Sequence, residues 1–249
     1  KAASLRLEGL KNAELIQGDF SEARELLRGK AERLDGALLD LGVSSHQLDS
    51  AERGFSYNKD GALDMRMSKE GPTAADLVNT LPVEELERII RSFGEESCAR
   101  VIAAKIAKVR SETPIESTAK LAETIVSALP PSVRRKEKNP ARKTFQALRI
   151  AVNDELGALE RGLEAIFSML KSGGRLCVIS FHSLEDRAVK QFFAEKARGC
   201  VCPPDFPVCV CGRIPEGRLV YKKPVCAEGG ELEENRRARS AKLRVLEKL

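Results

Sequence analysis

Two apolar runs along the chain predict strands that are buried on both faces. One covers residues 34–43 and the other residues 175–181, and neither alternates apolar with polar positions. A run without alternation is typical of a central strand in a parallel sheet. A shorter strand is predicted at residues 13–17, where Gly18 and Asp19 end the apolar pattern. Strands separated by helical segments indicate an α/β fold with a doubly wound sheet.

The stretch between the two long strands is much longer than one crossover helix requires. Apolar residues at helical spacing predict four successive helices within residues 73–128, and Pro82 occupies a first-turn position in one of them. We therefore predict a sheet domain made of residues 1–68 and 141–249, interrupted by an all-helical insertion at residues 69–140.

The remaining helices and strands are predicted from the same patterns. A crossover helix begins near Thr144, and the helical pattern before the second long strand stops at Gly173-Gly174. A further helix covers residues 184–197. Two short strands near residues 219–222 and 242–246 are expected to pair in antiparallel fashion at the end of the sheet.

Composition excludes several classes of protein. No apolar run approaches the roughly 20 residues that cross a bilayer, so we expect no membrane association. No basic and apolar leader is present, so we expect a cytoplasmic protein. The 42 basic and 37 acidic residues leave a net charge of only +5. With no Trp and two Tyr, the chain is also poorly suited to stacking single-stranded bases on aromatic rings.

Polar residues follow the apolar strands at the sheet edge where open α/β folds bind ligands. Asp19 follows the first strand, residues 40–49 continue the second, and residues 180–187 continue the third. Turn formation or helix capping accounts for any one of these segments. Three of them at one edge favour a ligand site.

The cysteines suggest a metal. Four of the seven lie close together in the sequence, and they are Cys200, Cys202, Cys209 and Cys211. Four thiolates are a typical ligand set for tetrahedral Zn²⁺, and such a site would be structural. Residues two apart in an extended chain point to opposite faces, so the backbone would have to turn at each Cys-x-Cys pair. A reduced surface loop or a reversible disulfide are the alternatives.

Six segments together resemble one enzyme family. They are residues 40–49 (DLGVSSHQLD), 53–56 (RGFS), 63–67 (LDMRM), 144–150 (TFQALRI), 179–187 (ISFHSLEDR) and 237–244 (RARSAKLR). In this order they resemble the MraW family of S-adenosylmethionine-dependent methyltransferases, which modify the N4 of a cytidine in small-subunit (16S) ribosomal RNA. His46 departs from the pattern, since many relatives have proline there.

The resemblance implies a fold, a cofactor and a partner. The fold is a Rossmann-like class I methyltransferase sheet, with the helical insertion serving substrate recognition. By resemblance, Phe20, Asp40 and Gln47 occupy positions that contact the methyl donor. The Gly-rich turn that opens the family's cofactor site has no counterpart in these 249 residues. We therefore expect a methyltransferase sheet that is incomplete at its N-terminus.

The chemistry of the cytosine N4 amine indicates which residues would assist methyl transfer. The N4 amine is a poor nucleophile because its lone pair is delocalised into the ring, so a hydrogen-bond acceptor beside it assists the transfer. Asp40 is the best-placed carboxylate, although it could equally orient the cofactor. Ser44, Ser45 and His182 are secondary candidates for contacting the base, and His182 could instead pack or cap a helix.

Basic residues predict how RNA is held. They form one cluster of Arg134, Arg135, Lys136, Lys138, Arg142, Lys143 and Arg149, and a second of Arg236, Arg237, Arg239, Lys242 and Arg244. Two clusters flanking one sheet edge favour RNA phosphates over simple solvated faces, and we assign substrate binding to Arg135, Lys136 and Lys143.

Other functions stay open at this stage. The helical insertion could be a wall of the substrate cleft or a homodimer surface. The chain could also be a non-catalytic RNA-binding or assembly module. A DNA cytosine-N4 methyltransferase is a weaker alternative, because such enzymes usually carry a Ser/Asp-Pro-Pro-Tyr turn where this chain has Asp40-Leu-Gly-Val.

Overall fold

The chain divides into two compact units. The computed structural model describes residues 2–57, 59–68, 70–136, 138–203, 206 and 208–249, without the side chains of Ala2, Ser45 and Lys136. The first unit, here called the sheet unit, is made of Lys1–Leu41 and Leu156–Leu249. The second, here called the helical unit, is Gly42–Glu155.

Helices outnumber strands in the described part of the chain. The helices are α1 (Ala2–Leu7), α2 (Ala23–Leu26), α3 (Ser45–Asp49), α4 (Ala74–Thr80), α5 (Val83–Gly94), α6 (Ala99–Arg110), α7 (Thr118–Ala128), α8 (Pro131–Lys136), α9 (Arg142–Asn153), α10 (Glu155–Met169), α11 (Ser183–Lys196) and α12 (Gly229–Glu234). The strands are β1 (Leu34–Asp40), β2 (Leu170–Ser180), β3 (Gly217–Leu219), β4 (Val225–Cys226) and β5 (Lys242–Lys248). None of the described helices is long and apolar enough to cross a bilayer.

The sheet unit contains a mixed sheet. Strands β1 and β2 are parallel, β5 runs antiparallel to β2, and β3 and β4 both pair antiparallel with β5. Phe167, Phe193 and Leu246 are almost completely buried in its core. The α/β prediction is therefore confirmed, as are the two long strands and the antiparallel pairing of the last ones.

Three details of the predicted sheet are wrong. Residues 13–17 form no strand, and β1 has β2 as its only neighbour among the described strands. Leu38 is 64% exposed, so β1 is not covered on both faces. Gly173 and Gly174 do not end a helix but lie inside β2, where the pairing register with β1 shifts. Glycine suits this bulge because Gly173 has a φ of +79°.

The helical unit is built from the predicted series of helices. A reciprocal capping box between Thr73 and Asp76 begins α4, and the Ser117 side chain caps α7. Helix α5 ends at Gly94, where an added Cβ would lie 2.7 Å from the Lys143 carbonyl oxygen. The absence of a side chain at Gly94 therefore lets α5 and α9 approach closely.

The helical unit extends beyond the predicted insertion at residues 69–140. Leu63 and Met65 on one side, and Phe145 and Leu148 on the other, are buried in the same core as α4–α7. Burial of these apolar side chains joins the flanking segments to the helices, because it removes their surface from water. Assignment of substrate recognition to this unit stays a prediction.

Candidate functional site

Two of the predicted polar segments follow adjacent strand ends. Asp40 is the last residue of β1 and is exposed, and it pairs in register with Ile179 of β2. The Leu41 N–H donates to the Ile179 carbonyl oxygen at 3.0 Å. Because β1 and β2 are parallel, the Asp40 carboxylate and the segment beginning at Ser180 share one edge of the sheet.

The third predicted segment forms a tight turn without a preceding strand. The Asp19 carboxylate accepts the Ser21 N–H at 2.8 Å and caps the 3-10 turn Phe20–Glu22. Phe20 lies against Gly162 of α10, where an added Cβ would be 2.5 Å from the ring. Gly162 thus makes room for the half-buried Phe20 ring on the sheet unit.

Ser44 and Gln47 form a reciprocal capping box at the start of α3 in the helical unit. The Ser44 hydroxyl accepts the Gln47 N–H at 3.3 Å, and the Gln47 side-chain oxygen accepts the Ser44 N–H at 2.8 Å. With its oxygen engaged, Gln47 has its side-chain NH₂ group left to offer a ligand. The Ser45 side chain lies outside the described residues.

His182 occupies the N-cap position of α11. Its Nδ1 accepts the Glu185 N–H at 3.3 Å, and the Glu185 carboxylate accepts the N–H groups of Phe181 and His182 at 2.8 and 3.3 Å. His182 Nε2 lies 3.1 Å from the Glu185 carboxylate, and both side chains are at most 10% exposed. The structure thus supplies a capping role for His182.

If His182 caps α11, substitutions of this residue should have a specific pattern of effects. Replacing His182 by alanine should lower the free energy of unfolding by about 1 kcal/mol, because the Glu185 N–H loses its acceptor. His182→Asn restores an acceptor and should recover both stability and methyl transfer. Urea unfolding and turnover would be measured on the same preparations. Recovery of stability without recovery of turnover would show that the imidazole also acts in catalysis.

The segment that carries the RGFS and LDMRM motifs is held by many polar contacts. The Arg53 guanidinium donates to the Arg66 carbonyl at 2.6 Å. The Asn153 side chain accepts the Met67 N–H at 2.7 Å and donates to the Met65 carbonyl at 2.8 Å. Met65 is fully buried with a φ of +62°, a strained conformation for a methionine. Such strain persists where the surroundings enforce it, and it is commonest at functional sites.

Sequence reasoning missed Asn153 altogether. The two main-chain groups that it contacts in this segment lie 86 and 88 residues earlier in the chain. No local spacing signals a contact over that distance, so only the folded structure reveals it.

Two residues of the first basic cluster are bound to carboxylates within the helical unit. Arg149 donates two hydrogen bonds to Glu155, at 2.7 and 2.8 Å. The Lys143 ammonium lies 3.8 Å from the carboxylate of Glu96, a residue that is 3% exposed. These cations neutralise buried acids, so the predicted phosphate contact of Lys143 would compete with an internal ion pair.

The second basic cluster is partly engaged in the same way. Lys242 and Arg244 donate to the Asp186 carboxylate at 3.1 and 2.7 Å. Burial raises the pKa of Asp186, but the hydrogen bonds from Arg244 and Lys242 lower it more, so the net shift is downward. This pairing connects β5 to α11.

Other cations of the first cluster stay exposed. Arg134 and Arg135 lie on α8 and have no ion-pair partner in the part of the chain that the structure describes. The Lys136 side chain lies outside the described residues. Arg134 and Arg135 are therefore the best candidates in this cluster for contacting phosphates.

The four clustered cysteines lie together in the sheet unit. Their sulfur atoms all fall within 4.8 Å of one another. Backbone N–H groups of Val201 and Arg213 lower the pKa of Cys211 to about 6. The Cys202 N–H lowers the pKa of Cys200, but the neighbouring thiols outweigh it and raise that pKa to about 12.

Comparison with known proteins gives the family. The profile of the MraW methylase family matches residues 1–249. A Ribosomal RNA small subunit methyltransferase H from Pelobacter propionicus is 56% identical over 252 residues, covering 100% of this chain and 80% of that protein. Proteins of the same name from Heliobacterium modesticaldum and Symbiobacterium thermophilum are 56% and 58% identical, covering 89% and 86% of this chain and 71% and 68% of theirs. The chain belongs to the MraW methylase family.

Proposed function

We propose that this chain transfers a methyl group from S-adenosylmethionine to the N4 amine of a cytidine in small-subunit ribosomal RNA. The observation that carries the proposal is the full-length match to a methylase family, joined to high identity with small-subunit rRNA methyltransferases. The structure adds an exposed carboxylate, Asp40, at the carboxyl ends of two parallel strands. A non-catalytic RNA-binding module and a DNA methyltransferase have no such support.

The described residues suit the methyl donor. Asp40 offers a carboxylate that can accept hydrogen bonds from an ammonium or a hydroxyl group, and Phe20 offers an apolar ring. Gln47 offers a side-chain NH₂ group. When bound, S-adenosylmethionine supplies an activated methyl group on a positively charged sulfur. The roles of Phe20, Asp40 and Gln47 in holding it rest on the family resemblance.

Asp40 also suits the acceptor amine. A carboxylate that accepts a hydrogen bond from the N4 amine raises the electron density on nitrogen and is placed to take the proton that the amine loses. Within the described residues no hydrogen bond engages the Asp40 side chain, in contrast to those of Asp19, Asp64 and Asp186. Ser44 and Ser45 remain candidates for contacts with the base.

The helical unit is proposed to hold the RNA. Arg134 and Arg135 supply exposed positive charge on α8, which attracts phosphates without reading sequence. The cytidine has to be unpaired or flipped out of a helix for its N4 to reach a methyl donor. A homodimer and a cytoplasmic location remain predictions.

Replacing Arg134 and Arg135 together by alanine should weaken RNA binding. Losing two phosphate contacts should lower the slope of log K against log salt by about 1.5 units, because fewer counterions are released. Arg88→Ala with Arg91→Ala is the matched control, since both arginines lie on the helical unit but pair with Glu85 and Glu87. Filter binding across a salt series measures both. An unchanged slope in the Arg134 and Arg135 variant would make this cluster a solvated surface.

Nucleoside analysis tests the proposed reaction. Small ribosomal subunits from a strain lacking the gene would be incubated with the enzyme and methyl-labelled S-adenosylmethionine. Digestion of the 16S rRNA to nucleosides should yield labelled N4-methylcytidine. Label on another nucleoside, or on DNA alone, would contradict the proposal.

A further inference from the structure

The loop between α11 and β3 contains a side-chain cluster that methyl transfer does not use. We propose that Cys200, Cys202, Cys209 and Cys211 bind one structural Zn²⁺ ion through four thiolates. The zinc site does not depend on the proposed methyl transfer, and the two proposals are tested by different experiments.

The sulfur positions match a tetrahedral metal centre. Cys200 and Cys209 are 3.3 Å apart, Cys209 and Cys211 are 3.6 Å apart, and Cys211 and Cys200 are 3.7 Å apart. A Zn–S bond of about 2.3 Å gives a tetrahedron with edges of about 3.8 Å. A disulfide would bring two sulfurs to about 2.05 Å. Three of the sulfurs therefore have nearly the spacing of ligands around a common centre, and the Cys202 sulfur lies within 4.8 Å of each of them.

The backbone makes this convergence possible. No helix or strand is assigned in the described residues between Lys196 and Gly217, so neither Cys-x-Cys pair lies in an extended strand. The Val210 N–H donates to the Cys202 sulfur at 3.4 Å. The Cys209 and Cys211 sulfurs are 3.6 Å apart and so lie on the same side of the backbone, which an extended strand would prevent.

Few apolar contacts order the described part of this loop, although its Arg213 pairs with the Glu195 carboxylate. Five of its apolar side chains are about half exposed or more, and they are Val201, Phe206, Val208, Val210 and Ile214. None of them belongs to the hydrophobic core of the sheet unit. A metal ion that joins both ends of the loop supplies the stabilisation that the missing core would have given.

The ligand set selects the ion and its role. Thiolates are soft ligands that favour zinc over magnesium or calcium, which prefer oxygen. Each sulfur that is still protonated releases its proton to solvent when its bond to zinc forms, and nothing is oxidised or reduced. Four protein ligands fill a tetrahedral shell, so no position is left for a substrate or water.

Metal analysis of the full chain tests the site. Protein purified under reducing conditions without chelator should contain about one zinc per chain. Cys202→Ser with Cys209→Ser should lose that zinc, whereas Cys226→Ser should keep it, because Cys226 is an exposed cysteine outside the cluster. Zinc retained by the double variant, or iron in place of zinc, would overturn the assignment.

Two further measurements use wild-type protein, so they test the site even if the double cysteine variant fails to fold. Titrating the wild-type chain with a mercurial should release one zinc as four thiols react. Removing the metal from wild-type protein should speed tryptic cleavage after Arg198 and Arg213, which lie on either side of the four cysteines, and adding Zn²⁺ should reverse this. The proposal would be overturned if metal-free protein did not bind added Zn²⁺ and if the rate of tryptic cleavage did not change when Zn²⁺ was added. A Cys–Cys disulfide found by mass spectrometry in reduced preparations would do so too.

Discussion

Replacing Asp40 by alanine in the enzyme is expected to lower the rate of methyl transfer by about 30- to 1,000-fold. Loss of a polar contact at the reacting centre costs about 2–4 kcal/mol of transition-state stabilisation, which corresponds to this factor. Stability should change little, because Asp40 is exposed at the end of β1. Steady-state kinetics with labelled donor and thermal unfolding would measure the two effects.

The kinetic pattern separates the two roles of Asp40. A fall in kcat at saturating donor indicates that the carboxylate assists the amine, whereas a rise in the donor KM indicates that it holds the cofactor. Asp35→Ala is the matched control, since Asp35 is an exposed carboxylate on the same strand and pairs with Lys171 on the surface. Near-normal turnover and donor KM in Asp40→Ala would remove both roles.

Removing Arg149 is expected to destabilise the helical unit by about 3 kcal/mol. Its side chain is 17% exposed and that of Glu155 is 8% exposed, so the substitution leaves a largely buried carboxylate without its partner. Arg149→Ala would be compared with wild type by urea unfolding. Arg149→Lys should recover little, because an ammonium cannot reproduce the two parallel hydrogen bonds.

A double variant shows whether the unpaired charge is the cause. Replacing Arg149 and Glu155 together by leucine removes both charges and keeps apolar volume, so it should be clearly more stable than Arg149→Ala. Equal instability of the two variants would trace the loss to packing. A loss below about 1 kcal/mol in Arg149→Ala would make the pair equivalent to a surface ion pair.

Local patterns predicted most of the secondary structure correctly. Helical spacing and Pro82 indicated the series α4–α7, and apolar runs indicated β1 and β2. The predicted strand at residues 13–17 is wrong because a strand also needs a neighbour to pair with, and composition does not report one. Gly173 was misread as a helix stop because the same residue type also forms bulges within strands.

Sequence patterns named some residues of the candidate site but not the ion-pair partners of others. Asp40 is a candidate from sequence because a polar residue at the end of an apolar strand is a signal for a ligand site in an open α/β sheet, and its role stays a prediction. Lys143 and Arg149 were grouped with the RNA-binding residues, since a run of cations looks alike whether its members face solvent or carboxylates. Their partners Glu96 and Glu155 became evident only in the fold.

The sequence by itself determined the α/β class, the helical insertion, the family and the four clustered thiols, since these follow from periodicity, motif order and local spacing. Only the tertiary structure decided which charges are free and which are paired, and how the Met65 backbone is held by Asn153. It also decided that the four sulfurs lie within 4.8 Å of one another. These features depend on contacts between residues distant in the chain or on the path of an irregular loop, and neither leaves a periodic trace in the sequence.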